Sequence, residues 1–217
     1  MFHIENLVVQ DVIQIDALQL DESVISIEGQ SGSGKSTLLR LLNNLDDPTS
    51  GTIHYQDELL TNIEPMSLRK KIVMVPQNPV VFDGTIRENL LKGLEFSGAG
   101  AAPDDRLKDL LEALWLDKDL ETSASELSGG EKQRMALGRV LLMDQAEVFL
   151  LDEPSSDLDD ETSNHVIREF ISHASEQQQQ TIMVTHDKQI TDQFAKQKIN
   201  MDDYSMHIRK EAHDDGR

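Results

Sequence analysis

The chain has 217 residues, 38% of them hydrophobic and 28% charged, enough for one large domain with a sizeable core. Its 40 acidic against 20 basic residues give a formal charge of −20, a surface that repels nucleic-acid phosphates and anionic lipid heads alike. There is no cysteine, which excludes disulfides, thiolate zinc sites and cysteine nucleophiles and agrees with a reducing cytoplasm; no apolar run reaches the roughly 18–20 residues that a membrane span needs.

In chain order, the opening "MFHIENLVVQD" lacks a basic n-region, so no secretory signal is expected. "FHIENLVV" and "VIQIDALQL" alternate as strands do, and "VISIE" reads as a buried strand running into a glycine-rich loop. Leu38, Leu41, Leu42 and Leu45 then recur at helical spacing, "DDPTSGT" is a turn, and "TIHYQ" and "KIVMVPQ" are further strands. "SGAGAAPDD" is a flexible connector with a helix-start signal at Pro103–Asp104–Asp105, and Leu107, Leu110, Leu111 and Leu114 line one helical face. A second helix, over residues 131–142, follows "LSGG". Two helices interrupting an α/β pattern suggest a helical lobe set into a larger core. From Ala146 the core resumes with the strand "EVFLLDE", the helix "DDETSNHVIREFISHASEQQQQ" and the strand "TIMVTHD". The "QQQQ" tract reads as a solvated helix end, and the tail "KEAHDDGR" as disordered.

The loop Gly29, Gln30, Ser31, Gly32, Ser33, Gly34, Lys35, Ser36, Thr37 satisfies G-x-x-x-x-G-K-[ST] between a strand and a helix. Each part has a chemical reason. Glycines let backbone N–H groups approach phosphate oxygens, and the following helix aims its positive end at them. Lys35 reaches the β and γ phosphates, and the Ser36 hydroxyl is suited to Mg²⁺. Further on, the apolar run Val148–Leu151 ends in Asp152 and Glu153. A buried strand delivers Asp152 towards the phosphates to hold Mg²⁺ through water, and Glu153 is placed to take a hydrogen bond from an attacking water.

"GQSGSGKST", "VPQ", "LSGGEKQR", "FLLDEPSSDLD" and "VTH" occur in an order and spacing that resemble the ATP-binding-cassette (ABC) ATPases, over roughly residues 2–210. "LSGGEKQR" is the specific part. The resemblance implies an α/β fold: a P-loop NTPase core of ABC type with an N-terminal antiparallel β subdomain and an inserted helical subdomain. The expected division is residues 1–79 and 146–210 for the core and β subdomain, 80–145 for the helical subdomain and 211–217 for a disordered tail. It also implies that the signature serves another chain's nucleotide. Ser128, Gly129, Gly130, Glu131 and Gln133 of one copy would face the ATP held by the loop of a second copy, in a head-to-tail dimer. Physically, a helix start at 128–131 is a second positive dipole end, so one phosphate chain is gripped from two sides.

The other motifs match residue by residue. Gln77 corresponds to the glutamine that senses Mg²⁺ and water and links core to helical lobe, so the implied metal set is Ser36, Gln77 and Asp152. Ser156 and Asp159 fall in the segment that crosses the dimer interface, with Asp157 where the family usually has alanine. His186, 33 residues past Glu153, corresponds to the histidine at the γ-phosphate. Glu153, His186 and Lys35 are thus the implied catalytic residues, with ATP and Mg²⁺ as cofactors. The family often stacks adenine on an aromatic residue; Val9 stands there, with Phe2 and His3 as nearby substitutes.

The resulting expectation is the energy-coupling ATPase subunit of a transporter, acting with a second copy of itself and a separate integral-membrane permease. It would be cytoplasmic, peripheral on the inner face of the cell membrane, with no nucleic-acid partner and no direct membrane insertion. "FDGTIRENL" and "THDK" resemble exporter cassettes and the small ATPases of iron or metal efflux. An importer ATPase of another substrate class, a soluble ABC ATPase of DNA repair or translation, and a P-loop kinase or GTPase are the alternatives. The charge opposes nucleic-acid binding, and a kinase or GTPase leaves the signature unexplained.

Overall fold

The computed structural model describes residues 1–206 and residue 208. The tail from Lys210 to Arg217 lies outside the described residues.

Strands β1 (Phe2–Val9) and β2 (Ile13–Leu20) alternate buried and exposed side chains, the pattern of a sheet with one wet face. They pair antiparallel, and with β4 (Ser50–Tyr55) and β5 (Glu58–Leu59) form a four-stranded sheet in the order β2-β1-β4-β5. Strand β3 (Val24–Glu28) is buried nearly throughout and belongs to a second, wholly parallel sheet. That sheet runs β6 (Ile72–Val75), β7 (Val148–Asp152), β8 (Gln180–Val184), β3, β9 (Gln197–Asn200). Every side chain of β7 and β8 is buried, as in a sheet covered on both faces.

Seven α-helices lie among the described residues: α1 (Lys35–Leu42), α2 (Pro65–Lys71), α3 (Ile86–Ser97), α4 (Asp104–Ala113), α5 (Gly129–Leu141), α6 (Asp160–Glu176) and α7 (Lys188–Phe194). The period-2 geometry of the parallel sheet sends alternate residues into two cores. Val73, Val75, Phe149, Leu151 and Met183 pack with α3 to α6. Ile72, Val148, Leu150, Ile182, Val184, Ile25 and Ile27 pack with α1 and the antiparallel sheet.

Several expected elements shift. The first helix ends at Leu42, and Leu45 is 40% exposed, outside the periodic face. Three helices rather than two separate β6 from β7. Helix α3 occupies "IRENLLKGLEFS" and starts with a reciprocal cap, in which Glu88 N donates to Thr85 Oγ1 and Thr85 N to Glu88 Oε2. Helix α2 is capped by the Glu64 carboxylate, which accepts from Met66 N and Ser67 N, with Pro65 in the first turn. The helix after "LSGG" starts at Gly129, two residues before the expected position.

The glutamine tract is a solvated helix end only in its first half, where Gln177 caps α6 and both Gln177 and Gln178 are exposed. Helix α6 stops at Glu176, and Gln179 and Gln180 are buried. Gln179 Nε2 donates to Ala146 O, while Gln180 Nε2 donates to Leu20 O and Glu22 O and Gln180 opens β8. A glutamine amide satisfies stray loop carbonyls that an apolar side chain would leave unpaired.

Candidate active site at the ends of the parallel strands

The loop after β3, the loop after β6 and the residues ending β7 and β8 come together at the C-terminal edge of the parallel sheet, where side chains from separate strands converge. In the first of these, Gly34 has φ +97°, and a Cβ there would lie 2.6 Å from Ile13 Cγ1. Only glycine takes that conformation against β2 without displacing it. The Lys35 ammonium is buried and donates to Gly29 O and Gln30 O, both at 2.9 Å. Ser33 Oγ is fully buried without a hydrogen-bond partner and lies against Gly29, where a Cβ would be 2.8 Å from it. An unpartnered buried hydroxyl at such a loop is a polar group with bonding capacity to spare.

Ser36 Oγ donates to Asp152 Oδ1 at 3.1 Å, so the hydroxyl and the carboxylate already share one position. Burial pushes the Asp152 carboxyl above the usual carboxylate range; the Ser36 hydrogen bond opposes this, the Glu153 charge adds to it and Lys35 opposes it. A desolvated carboxylate beside a hydroxyl is a hard oxygen pair that suits Mg²⁺, and Gln77, whose amide nitrogen donates to the adjoining Glu153, carries a third oxygen donor. These donors fit the expected metal. Among the described residues no cluster of three or more His, Cys, Asp or Glu would hold an ion by itself, so Mg²⁺ here would depend on the hydroxyl, the amide and the phosphates.

Glu153 is held from three directions. Gln77 Nε2 donates to Glu153 Oε2 at 3.1 Å, His186 Nε2 lies 3.4 Å from Glu153 Oε1, and Glu153 N donates to Val184 O. Its φ is +47°, a left-handed conformation that costs a non-glycine residue about 1–2 kcal/mol and persists where neighbours over-determine it. The sequence separates Gln77, Glu153 and His186 widely; the sheet brings them within hydrogen-bond reach.

The glycine pair lies elsewhere. Ser128 caps α5: Glu131 N donates to Ser128 Oγ and Ser128 N to Glu131 Oε2. The hydrogen bond from Ser128 N holds the Glu131 carboxyl below its usual range, with help from Lys118 at 3.2 Å. A Cβ on Gly129 would meet Asp157 Oδ2 at 2.9 Å, and one on Gly130 would meet Asp157 O and Leu158 Cδ2 at 2.8 Å. Gly130 is therefore small because the backbone of Asp157 crosses it closely, whereas Gly129 meets only the flexible end of the Asp157 side chain. Gln133, expected on the same surface, is 1% exposed with neither end of its amide partnered, and so faces inward. Asp159 caps α6, accepting from Thr162 N and Thr162 Oγ1, and Ser156 closes a turn onto Glu153 O.

Of the residues suggested for the base, Phe2 and Val9 are not available to it. Phe2 is fully buried against Tyr55, ring centroids 5.0 Å apart, and Val9 is buried in the same core. His3 remains half-exposed beside Asp21. Two residues at the turn from β1 into β2 reach the loop: Ile13 Cγ1 would lie 2.6 Å and Val12 Cγ1 3.3 Å from a Cβ on Gly34; neither aliphatic residue carries a signal of its own.

Residues 18–156, more than half of the chain, match the family described as ABC transporter. The chain belongs to this family. Among curated relatives, it is 40% identical over 164 residues to Protein STAR1 of Oryza sativa subsp. japonica, covering 75% of this chain and 47% of that protein. It is 35% identical over 199 residues to a xylose/arabinose import ATP-binding protein of Haloferax volcanii, covering 89% of this chain and 51% of that one. The chain thus spans about half the length of the curated relatives it matches. An ATP-binding cassette solved as a dimer in a post-hydrolysis state with ADP and Pi superposes with a TM-score of 0.75 at 27% identity, over 88% of this chain and 90% of that one. The two sheets and the helices between β6 and β7 are the ABC ATPase fold. No described helix is long and apolar enough to cross a membrane.

Proposed function

We propose that this chain is the ATP-hydrolysing, nucleotide-binding subunit of an ABC transporter, working as a pair with a second copy and driving a separate membrane permease from the cytoplasmic face. The observation that carries the reading is the meeting of Gln77, His186 and Glu153 beside the Ser36–Asp152 pair and the Lys35 loop.

In this reading the loop amides and Lys35 bind and orient the triphosphate. Mg²⁺, when bound by Ser36, Asp152 and Gln77, neutralises phosphate charge. Glu153 accepts a proton from the attacking water, and Gln77 at Oε2 with His186 at Oε1 fix the plane of its carboxylate. His186 then stabilises charge on the γ-phosphate. Ser128, Gly129 and Gly130 of the second copy close the site from the far side, and the dimeric state of the solved ATP-binding cassette supports that arrangement.

A cleft of about 420 Å³ beside the site supports the permease partner. Met66, Val80 and Phe96, three exposed large apolar side chains, line it with Val75, Pro79 and Val140. Arg69 and Lys70 lie on the same wall, two cations on a strongly acidic protein. The occupant that fits is a short amphipathic helix of the permease carrying an acidic residue. Of the exporter-like "FDGTIRENL", Phe82 lines this cleft; that stretch supports export, and "THDK" supports metal efflux as the transport reaction, which stimulation of the assembled complex by a metal ion tests.

The catalytic reading is tested by Glu153→Gln. Nucleotide binding is expected to persist, hydrolysis to fall by about 10²-fold or more, and an ATP-loaded dimer to accumulate on gel filtration. Near-normal turnover would remove Glu153 from the role of base.

A further inference from the structure

Strands β3 and β9 run parallel, with Ile27 beside Ile199 and Glu28 beside Asn200. They therefore end together: β3 delivers Gly29 and Gln30, and β9 delivers Met201 and Asp202. A short 3₁₀ turn over Met201–Asp203 follows β9, anchored by the fully buried Met201 and capped by Asn200 Oδ1, which accepts from Asp202 N at 3.1 Å. Asp202 Oδ1 accepts from Gln30 N at 2.8 Å, a contact across 172 positions. The same oxygen packs on Gly29 so closely that a Cβ there would lie 2.8 Å from it.

Gly29 O and Gln30 N belong to one trans peptide and point in opposite directions. Lys35 holds the carbonyl end and Asp202 the N–H end. The segment beyond the turn grips the neighbouring wall of the loop as well. Gln14 N donates to Tyr204 O and Met206 N to Val12 O, which fixes the Val12–Ile13 step against Gly34.

We propose that Asp202 is a positioning residue for nucleotide binding. It clamps the Gly29–Gln30 peptide from the side opposite the phosphates, so that the carbonyls hold Lys35 at the mouth of the loop and the loop stays open without nucleotide. The inference rests on the nucleotide-binding reading of this loop. It assigns to the segment after β9 a part in binding that none of the recognised motifs carries.

The test is equilibrium titration of the full chain with a fluorescent ATP analogue and Mg²⁺, paired with hydrolysis rates at saturating nucleotide. Asp202→Ala is expected to raise the dissociation constant about tenfold, the loss of one charge-assisted hydrogen bond, while kcat stays within about twofold. Asp202→Asn keeps an acceptor oxygen in place and is expected to bind within about twofold of wild type. Should the alanine variant not fold, Asp202→Glu, which keeps the charge and displaces the oxygen, is expected to weaken binding in its stead. A folded Asp202→Ala or Asp202→Glu that binds as wild type does overturns the inference, and so does an Asp202→Asn as weak as alanine. A wild-type chain that fails to bind any nucleotide overturns the nucleotide-binding reading itself, and this inference with it.

Discussion

Arg139 is a cation placed where cations are expensive. It is 9% exposed, and its guanidinium donates to Asn89 O, Asn89 Oδ1 and Val80 O while lying 4.9 Å from the centroid of the Phe82 ring. Burial pulls its pKa down to about 10, so it remains charged at neutral pH and its desolvation is met by carbonyl dipoles and a ring face. One planar group thereby ties α5 to both ends of the segment 80–89 that flanks the apolar cleft. Arg139→Ala should cost roughly 2–4 kcal/mol, because several buried acceptors lose their donor at once. Chemical denaturation checks this, and Arg139→Lys should recover only part of the loss, since a point charge cannot reproduce the fork. At this scale legibility follows sequence distance. Lys35, Ser36, Asp152 and Glu153 sit in local patterns whose chemistry is readable from neighbours. Arg139 and Asp202 act on residues 50 and 172 positions away, and nothing in "MALGRVLL" or "NMDDY" announces those partners.

Among the elements, α5 shows how one stretch serves two needs. Its Ser128–Glu131 cap is a local device, readable as S-x-x-E before an apolar run. Its second glycine is required by a remote one, the backbone of Asp157 and the side chain of Leu158 lying against Gly130. Gly130→Ala removes no hydrogen bond and improves helix propensity by about 1 kcal/mol, so propensity alone predicts stabilisation. The contact predicts the opposite. A methyl group 2.8 Å from Asp157 O forces the Asp157–Leu158 segment to move, and overpacking of this kind costs about 1–3 kcal/mol. Thermal unfolding decides the sign, and a variant more stable than wild type would remove the contact as the reason for glycine. The same contrast explains which elements were legible. Strands β1, β2, β3, β7 and β8 follow hydrophobic runs. Helix α3 was hidden because "VFDGTIRENLL" reads as a loop unless Thr85 and Glu88 are taken as a capping box, and α2 because its cap is a glutamate rather than Ser, Thr, Asp or Asn.

For the whole molecule, the order of strands and helices was written in the sequence as apolar runs and glycine breaks, while the separate antiparallel subdomain followed only from the motifs' family resemblance, and which strands pair within each sheet did not follow at all. Pairing of β1 with β4, and of β3 with both β8 and β9, depends on contacts between distant segments that alternation cannot specify. Net charge is the property of the whole chain that is fully legible, and it bears on assembly. Two copies at −20 each must approach with triphosphates between them, so long-range repulsion opposes closure while short-range contacts at the signature favour it. Screening weakens the first and barely touches the second, because the Debye length falls from about 30 Å at 0.01 M salt to about 8 Å at 0.15 M. The ATP-loaded dimer of Glu153→Gln should therefore tighten with added sodium chloride, by roughly three- to tenfold between about 0.02 M and 0.3 M. Sedimentation velocity at fixed Mg²⁺ and nucleotide reads this directly. A dimer that weakens with salt would instead place complementary charges across the interface, and the acidic surface would then lie away from the joining faces.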